Sequence, residues 1–320
     1  MGIEGSQSNA KSPGAPADFS LRLQVAARGN DPERIAEMIA QGADASSRDH
    51  VGRTPLMWAA SLGHEESVRA LLAASDIQAR DDDGWNAAMW AADNGRLGCL
   101  LLLEPALRGE AGAEKPNPIL LSLAAAQGHA ACVQALIPHC DAKIADEAGG
   151  TPLIWAARAP SPECVKLLLP VSNAQAKTTE GQQSALMFAA RKSDPECLML
   201  LLGESNPLDK DCDGQTALMA AAQSGAVECA RILAQCGGVR ETDLEGGDAL
   251  SLAVANEESE IADFLASWFS LDRVAQAVEK LGPHDMPQAA ARLEANEIRE
   301  SLAEPVATEH LGNKRLAPRL

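Results

Sequence analysis

The sequence predicts an all-α fold: a helical solenoid of short stacked repeats, closed by a C-terminal helical cap. Three observations predict it. The first is an Ala pair whose leading member recurs at Ala26, Ala59, Ala91, Ala124, Ala156, Ala189, Ala221 and Ala253, always 32 or 33 residues apart, with Val254 replacing the second Ala at the end. So regular a period marks a repeat array. The second is the residue five places earlier, which is polar in six of eight units: Thr54, Asn86, Thr151, Ser184, Thr216 and Asp248. Each can accept a backbone N–H as a helix N-cap. The third is turn chemistry at fixed offsets, with Gly63, Gly95, Gly128 and Gly225 at one repeat position and Asn30 holding it in the first unit. These residue types suit a left-handed backbone.

In chain order, residues 1–18 are rich in Gly, Ser, Ala and Pro and read as a disordered lead. Eight units then span 19–269. Each reads as a finger turn, a short helix, a second turn and another short helix. Pro55 and Pro152 follow their caps at the first helical position, where a missing N–H costs nothing. Asp31-Pro32-Glu33, Ser161-Pro162-Glu163 and Asp194-Pro195-Glu196 start second helices with a cap, a Pro and an acid. Apolar runs such as Val68 to Leu72 and Leu198 to Leu202 supply the buried side. Aromatics are 3% and Tyr is absent, so Ala and Leu must build the core. The repeat stops after Trp268. Residues 270–303 then show helical spacing at Leu271, Val274, Val278 and Leu281, broken by Gly282-Pro283. They read as the cap that an open-ended stack requires. Residues 304–320 read as a disordered tail with a small basic end, Lys314-Arg315 and Arg319.

Thr54-Pro55-Leu56-x-x-Ala59-Ala60-x-x-Gly63-His64, followed by Leu71-Leu72, resembles the ankyrin repeat, as do Gly42-Ala43-Asp44 and Asp83-Gly84-Trp85. The resemblance covers about residues 19–269. The Leu-Met-(Trp/Phe)-Ala-Ala and Glu-Cys flavour is also similar to ankyrin arrays of microbial accessory genomes. The resemblance implies an ankyrin-repeat helical solenoid whose work is binding another protein. Two departures stand out. Met57, Met89, Met187 and Met219 occupy the family's usual His position, so its turn-bracing hydrogen bond is expected to be missing. The connection from Pro105 to Pro118 is irregular, and Ile119 is a non-polar start, so distortion is expected there.

Net charge of −18 disfavours nucleic acid and anionic membrane and favours a partner protein with a basic surface. No run approaches the ~20 apolar residues of a membrane span. Eight cysteines without a secretory signal suit reduced thiols in a cytoplasmic setting. Five of them, Cys99, Cys132, Cys164, Cys197 and Cys229, share one repeat position and read as small seam-filling residues. Cys140, Cys212 and Cys236 fall in loops and read as exposed thiols. No histidine pair, C-x-x-C, phosphate loop or nucleophile motif is present, so the reading is non-enzymatic, with no cofactor and no metal. Asp81-Asp82-Asp83 reads as a solvated turn rather than a Ca²⁺ loop. His64 and His129 read as second-helix starts.

Candidate partner-binding residues are those that the repeat leaves variable. Trp58, Trp90, Trp155 and Phe188 precede their Ala pairs in one column, which the resemblance places toward the concave side. They read equally as anchors and as packing against the next unit. Trp85 sits by a finger turn and reads as exposed. Acidic fingers, including Asp82 and Asp213, would steer a basic partner. Arg158, Arg191 and Lys192 interrupt that acidity and offer a local positive patch for a carboxylate. Met1-Gly2-x-x-x-Ser6 matches the minimal myristoylation pattern at Gly2. It supports an alternative reading as a membrane-associated adaptor or secreted effector, through Gly2 or the basic C-terminal end.

Overall fold

The computed structural model describes residues 16–107 and 119–303. Helices pair along the chain: α1 (Pro16–Arg28) with α2 (Pro32–Ala40), α3 (Pro55–Leu62) with α4 (Glu65–Leu72), α5 (Ala87–Asp93) with α6 (Leu97–Leu107), and α7 (Ile119–Ala126) with α8 (Ala130–Leu136). Further on, α9 (Pro152–Arg158) pairs with α10 (Pro162–Leu168), α11 (Ala185–Arg191) with α12 (Pro195–Leu202), α13 (Ala217–Gln223) with α14 (Val227–Gln235), and α15 (Ala249–Ala255) with α16 (Ser259–Leu265). Two longer helices, α17 (Leu271–Leu281) and α18 (Pro287–Ala303), follow. First helices stack on first helices and second on second, in sequence order.

The caps explain where the first helices begin. Side chains of Thr54, Asn86, Thr151, Ser184, Thr216 and Asp248 all accept the backbone N–H three residues on, at 2.9–3.4 Å. Each such bond stabilises its helix by about 1 kcal/mol. The methionines do more than the sequence suggested. Met57 Sδ accepts the Thr54 N–H at 3.4 Å and Met219 Sδ accepts that of Thr216 at 3.5 Å, so sulfur restores bracing in these two units. Ser251 Oγ accepts the Asp248 N–H at 2.8 Å in the last unit. Among second helices, Asp31 and Asp194 cap as expected, whereas Ser161 makes no side-chain cap bond.

The left-handed position after the first helix is occupied by Gly63, Gly95, Gly128, Gly225 and Asn30, as the turn chemistry predicts. Ser193 and Glu257 hold it too, at φ 57° and 63°. They carry the strain that a Cβ meets there. His64 and His129 stand at the N-caps of α4 and α8, yet their rings reach backward. Nε2 of each lies 3.1 and 2.9 Å from the carbonyls of Arg28 and Asp93, so they stitch each unit to the one before.

The Ala pairs are almost wholly buried, which lets neighbouring first helices approach closely. Leu71, Leu100, Val133, Val165, Leu198 and Leu233 fill the seam to the second helices. One apolar cluster runs from Leu23 to Ala289. The five column cysteines lie in it. Burial first, with nearby carboxylates adding to it at Cys99 and Cys229, pushes those two thiols up to about 11; burial, then the neighbouring Cys164, does the same for Cys132. Such thiols do not ionise near neutral pH. Cys140 is also buried, a correction to its reading as an exposed loop thiol: the loop closes over the core. Cys212 and Cys236 are exposed.

At the C-terminal end α17 lies on α15 and α18 on α16, continuing the helix-pair order without a finger turn. Val274, Ala277, Met286 and Ala289 cover the last seam. Polar bonds fix the cap in place. Arg273 pairs with Asp248, itself the cap of α15. Buried Asp263 accepts the N–H groups of Gln288 and Ala289 at 3.2 and 2.7 Å, capping α18 from within α16. Arg292 donates to the Ala266 and Phe269 carbonyls. Gly2, Lys314, Arg315 and Arg319 lie outside the described residues, as does most of the Pro105–Pro118 connection. Among the described residues no helix is long and apolar enough to cross a membrane.

Candidate partner-binding surface

The finger turns are built by one recurrent acid. Asp49 Oδ1 accepts the N–H groups of Val51 and Arg53 at 3.1 and 2.9 Å. Asp81, Asp146, Asp211 and Asp243 repeat the arrangement in their own turns. A short side-chain acceptor thus replaces a regular backbone pairing. Successive tips are joined by backbone bonds: Asp82 N–H to Val51, Thr179 to Ala148, Cys212 to Gly181 and Leu244 to Asp213. The finger acids therefore divide by role. Those at the base organise the turn, while Asp82, Asp83, Glu147, Glu180, Asp213 and Glu245 are exposed.

The same base acids hold the aromatic column. The indole N–H groups of Trp58, Trp90 and Trp155 donate to Oδ2 of Asp49, Asp81 and Asp146 at 2.8, 2.8 and 2.7 Å. The constant nine-residue spacing from acid to Trp was visible in the sequence and was missed. Burial works to raise the Asp49 carboxyl, but the Trp58 indole and the Arg53 and Val51 N–H groups outweigh it and hold it below its ordinary value.

Beyond that shared bond the tryptophans differ. The Arg28 guanidinium stands 3.8 Å from the centre of the Trp58 ring and Arg53 stands 4.8 Å from it. Arg53 also covers Trp90 at 3.7 Å and lies 3.8 Å from the buried Asp81 carboxylate. Trp85 is half-buried rather than exposed, its ring 4.7 Å from that of Trp90. Stacking against a neighbouring indole buries more apolar surface than projecting into water. Trp58, Trp85 and Trp90 thus form a continuous ladder with Arg28 and Arg53, engaged within the molecule.

Trp155 lacks such a cover. The position immediately before the helix cap, held by Arg53 and Trp85 in earlier units, is Gly150 here. A Cβ on Gly150 would lie 2.5 Å from the Trp155 ring, so the indole occupies the space of the missing side chain. Beside it opens a cavity of about 710 Å³, lined by Ile119, Ser122, Leu123 and Ala126 of α7, by the finger Ala145–Ala148, and by Trp155. A smaller cavity of about 310 Å³ adjoins it, sharing Ala126 and Trp155 and reaching Arg158, Ala159 and Lys192. Arg158 lies 5.0 Å from the Trp155 ring centre. Arg158 and Lys192 are exposed and, among the described residues, have no carboxylate within ion-pair distance. Elsewhere basic side chains are used as stitches: Lys177 reaches Asp209 and the Lys210 carbonyl, and Lys210 reaches Glu241 and the Thr242 carbonyl. Arg191 is half-buried and donates to the Gln183 amide. Phe188 is half-buried against the core.

Of the residues singled out in the sequence, Trp155, Arg158 and Lys192 line one cavity, and Phe188 and Arg191 lie on α11, which packs against α9. Asp82 and Asp213 lie on separate fingers. Ile119, Leu123 and the Ala145–Ala148 turn were not anticipated. The one signal for them was Gly150, standing where bulkier residues stand in earlier units.

Comparison with known proteins agrees with this architecture. The family description "Ankyrin repeats (3 copies)" matches residues 23–117, 121–211 and 186–273. Among solved structures, the ankyrin repeat domain of human ASB11 is similar at 24% identity and a TM-score of 0.57, over 66% of this chain and 96% of that one. Buried Ala pairs, capped short helices and family match converge: the chain belongs to the ankyrin-repeat family.

Proposed function

We propose that the protein is a non-enzymatic binding scaffold in a reducing, cytoplasmic compartment, gripping one partner protein between its first-helix face and its finger turns. Ankyrin repeats mediate protein–protein interaction, and stacked repeats offer long continuous surfaces for it. The observation that carries the choice of face is the apolar cavity beside Trp155, with unpaired Arg158 and Lys192 at its edge. Phe188 and Arg191 extend this surface. The exposed finger acids Asp82 and Asp213 would meet basic groups of the partner and speed its approach. Trp58, Trp85 and Trp90 serve this reading as a stiff, prefolded flank rather than as anchors.

The test is affinity capture with tagged full-length protein from its own cell lysate at two salt concentrations, followed by titration of the recovered partner. Trp155→Ala is expected to weaken binding at least tenfold while far-UV circular dichroism is unchanged. High salt is expected to slow association through the fingers. A folded Trp155→Ala variant that binds as tightly as the parent removes this face from the account.

A further inference from the structure

The cavity and the cations beside it point to a specific partner chemistry. Resting on the reading of this face as a protein-binding surface, we propose that the groove between α7, α9 and the Ala145–Ala148 finger takes an extended partner segment in which bulky apolar side chains stand next to a carboxylate. Three observations carry it. The floor is apolar, made by Ile119, Leu123, Ala126 and the Trp155 ring, and its volume of about 710 Å³ lies within the range of built ligand pockets. The adjoining cavity ends at Arg158 and Lys192. Among the described residues these two cations have no ion-pair partner, in a chain of net charge −18 where Lys177 and Lys210 are bound to carboxylates of the neighbouring unit.

The geometry orders the contacts. Apolar side chains enter beside Trp155, and the carboxylate meets Arg158 and Lys192. The Trp155 indole N–H is already committed to Asp146, so the ring contributes its face and not its donor. Gly150 lets the ring lie back far enough to keep the floor open. The acidic fingers favour a basic partner as a whole. The groove therefore demands an acidic stretch within a basic protein, a combination few competitors share, and such mixed demands give specificity.

The experiment is selection of a random twelve-residue peptide display library on the full-length protein, followed by titration of the synthesised consensus peptide. The expected result is enrichment of Leu, Ile, Phe or Met beside Asp or Glu. Affinity should fall at least tenfold in Ala126→Glu, which places bulk and a like charge in the wall shared by both cavities. It should fall similarly in the Arg158→Glu/Lys192→Glu double variant, with circular dichroism reporting an intact fold. Enriched peptides that lack an acid, or that ignore both variants, overturn the groove and leave the protein-binding reading standing. No binder at all also overturns the groove; the broader reading falls only if the capture experiment fails as well. Two further results assign another occupant and overturn the proposal. One is a wild-type dimer that Ala126→Glu dissociates. The other is peptide binding that appears only when residues 108–118 are replaced by a Gly-Ser linker of equal length.

Discussion

Trp90 and Trp155 hold the same place in their units and donate the same bond to an Asp nine residues earlier, yet one ring is covered and the other faces a cavity. The difference lies in a single neighbouring position. Arg53 lies between Trp58 and Trp90, and Trp85, directly before the α5 cap in the same unit, packs on Trp90. Gly150 offers Trp155 nothing but backbone. The repeat thus builds the same Asp–Trp socket at three units, and the residue before the cap helps decide whether the socket is filled internally. Filling it stabilises the stack; leaving it empty sets an aromatic face beside an open cavity.

The largest expected effect comes from forcing the first solution onto the second site. Gly150→Arg would drive a Cβ into the Trp155 ring, and the overpacking should cost roughly 1–3 kcal/mol in urea denaturation. A variant as stable as the parent would show that the ring can move aside without strain. The converse change, Arg53→Gln, removes a cation shared by two indoles and the Asp81 carboxylate. It should cost about 1 kcal/mol. The matched control, Arg158→Gln, alters an exposed cation 5.0 Å from one ring and should change stability by less than about 0.5 kcal/mol. Equal losses from the two arginines would dissolve the distinction between the regions.

A further comparison depends on pH. Trp58→Phe removes the indole donor to Asp49 and is expected to cost about 1 kcal/mol at pH 7. The Asp49 carboxyl titrates lower in the folded chain than its ordinary value of 3.8, so its bonds stabilise the fold fully above that value. Their contribution is lost as pH falls through the folded value. The difference between parent and variant should therefore shrink below pH 3.8, and a gap that is constant with pH would assign it to packing instead.

Much of the fold was legible because local chemistry and repetition agree. Thr54, Asn86, Thr151, Ser184, Thr216 and Asp248 cap helices wherever they recur, since a cap needs only its own next three residues. The Ala pairs are buried because each unit repeats its neighbour's spacing. What failed was of another kind. Trp85 reads as exposed from its place beside a turn, but its ring folds back onto Trp90 of the helix that follows, and that packing direction is not fixed by turn chemistry. Cys140 was assigned to solvent because loops usually are; the fold of the chain over the core was not a local property. The loss of bracing at the family's His position was inferred from residue type, and Met57 and Met219 supplied sulfur acceptors in its place.

The sequence by itself determined the period, the helix starts, the buried Ala seams and the need for a C-terminal cover, because these follow from hydrogen bonds and apolar spacing within one or two units. Only the tertiary structure decided which aromatic is enclosed and which cations are unpaired. Those properties depend on side chains about 30 residues apart meeting across a repeat boundary. A column of similar residues carries no mark of that meeting: Trp58, Trp90 and Trp155 look alike in the chain and become different when the unit before brings Arg28, Arg53 or the α7 residues Ile119 and Leu123 beside them.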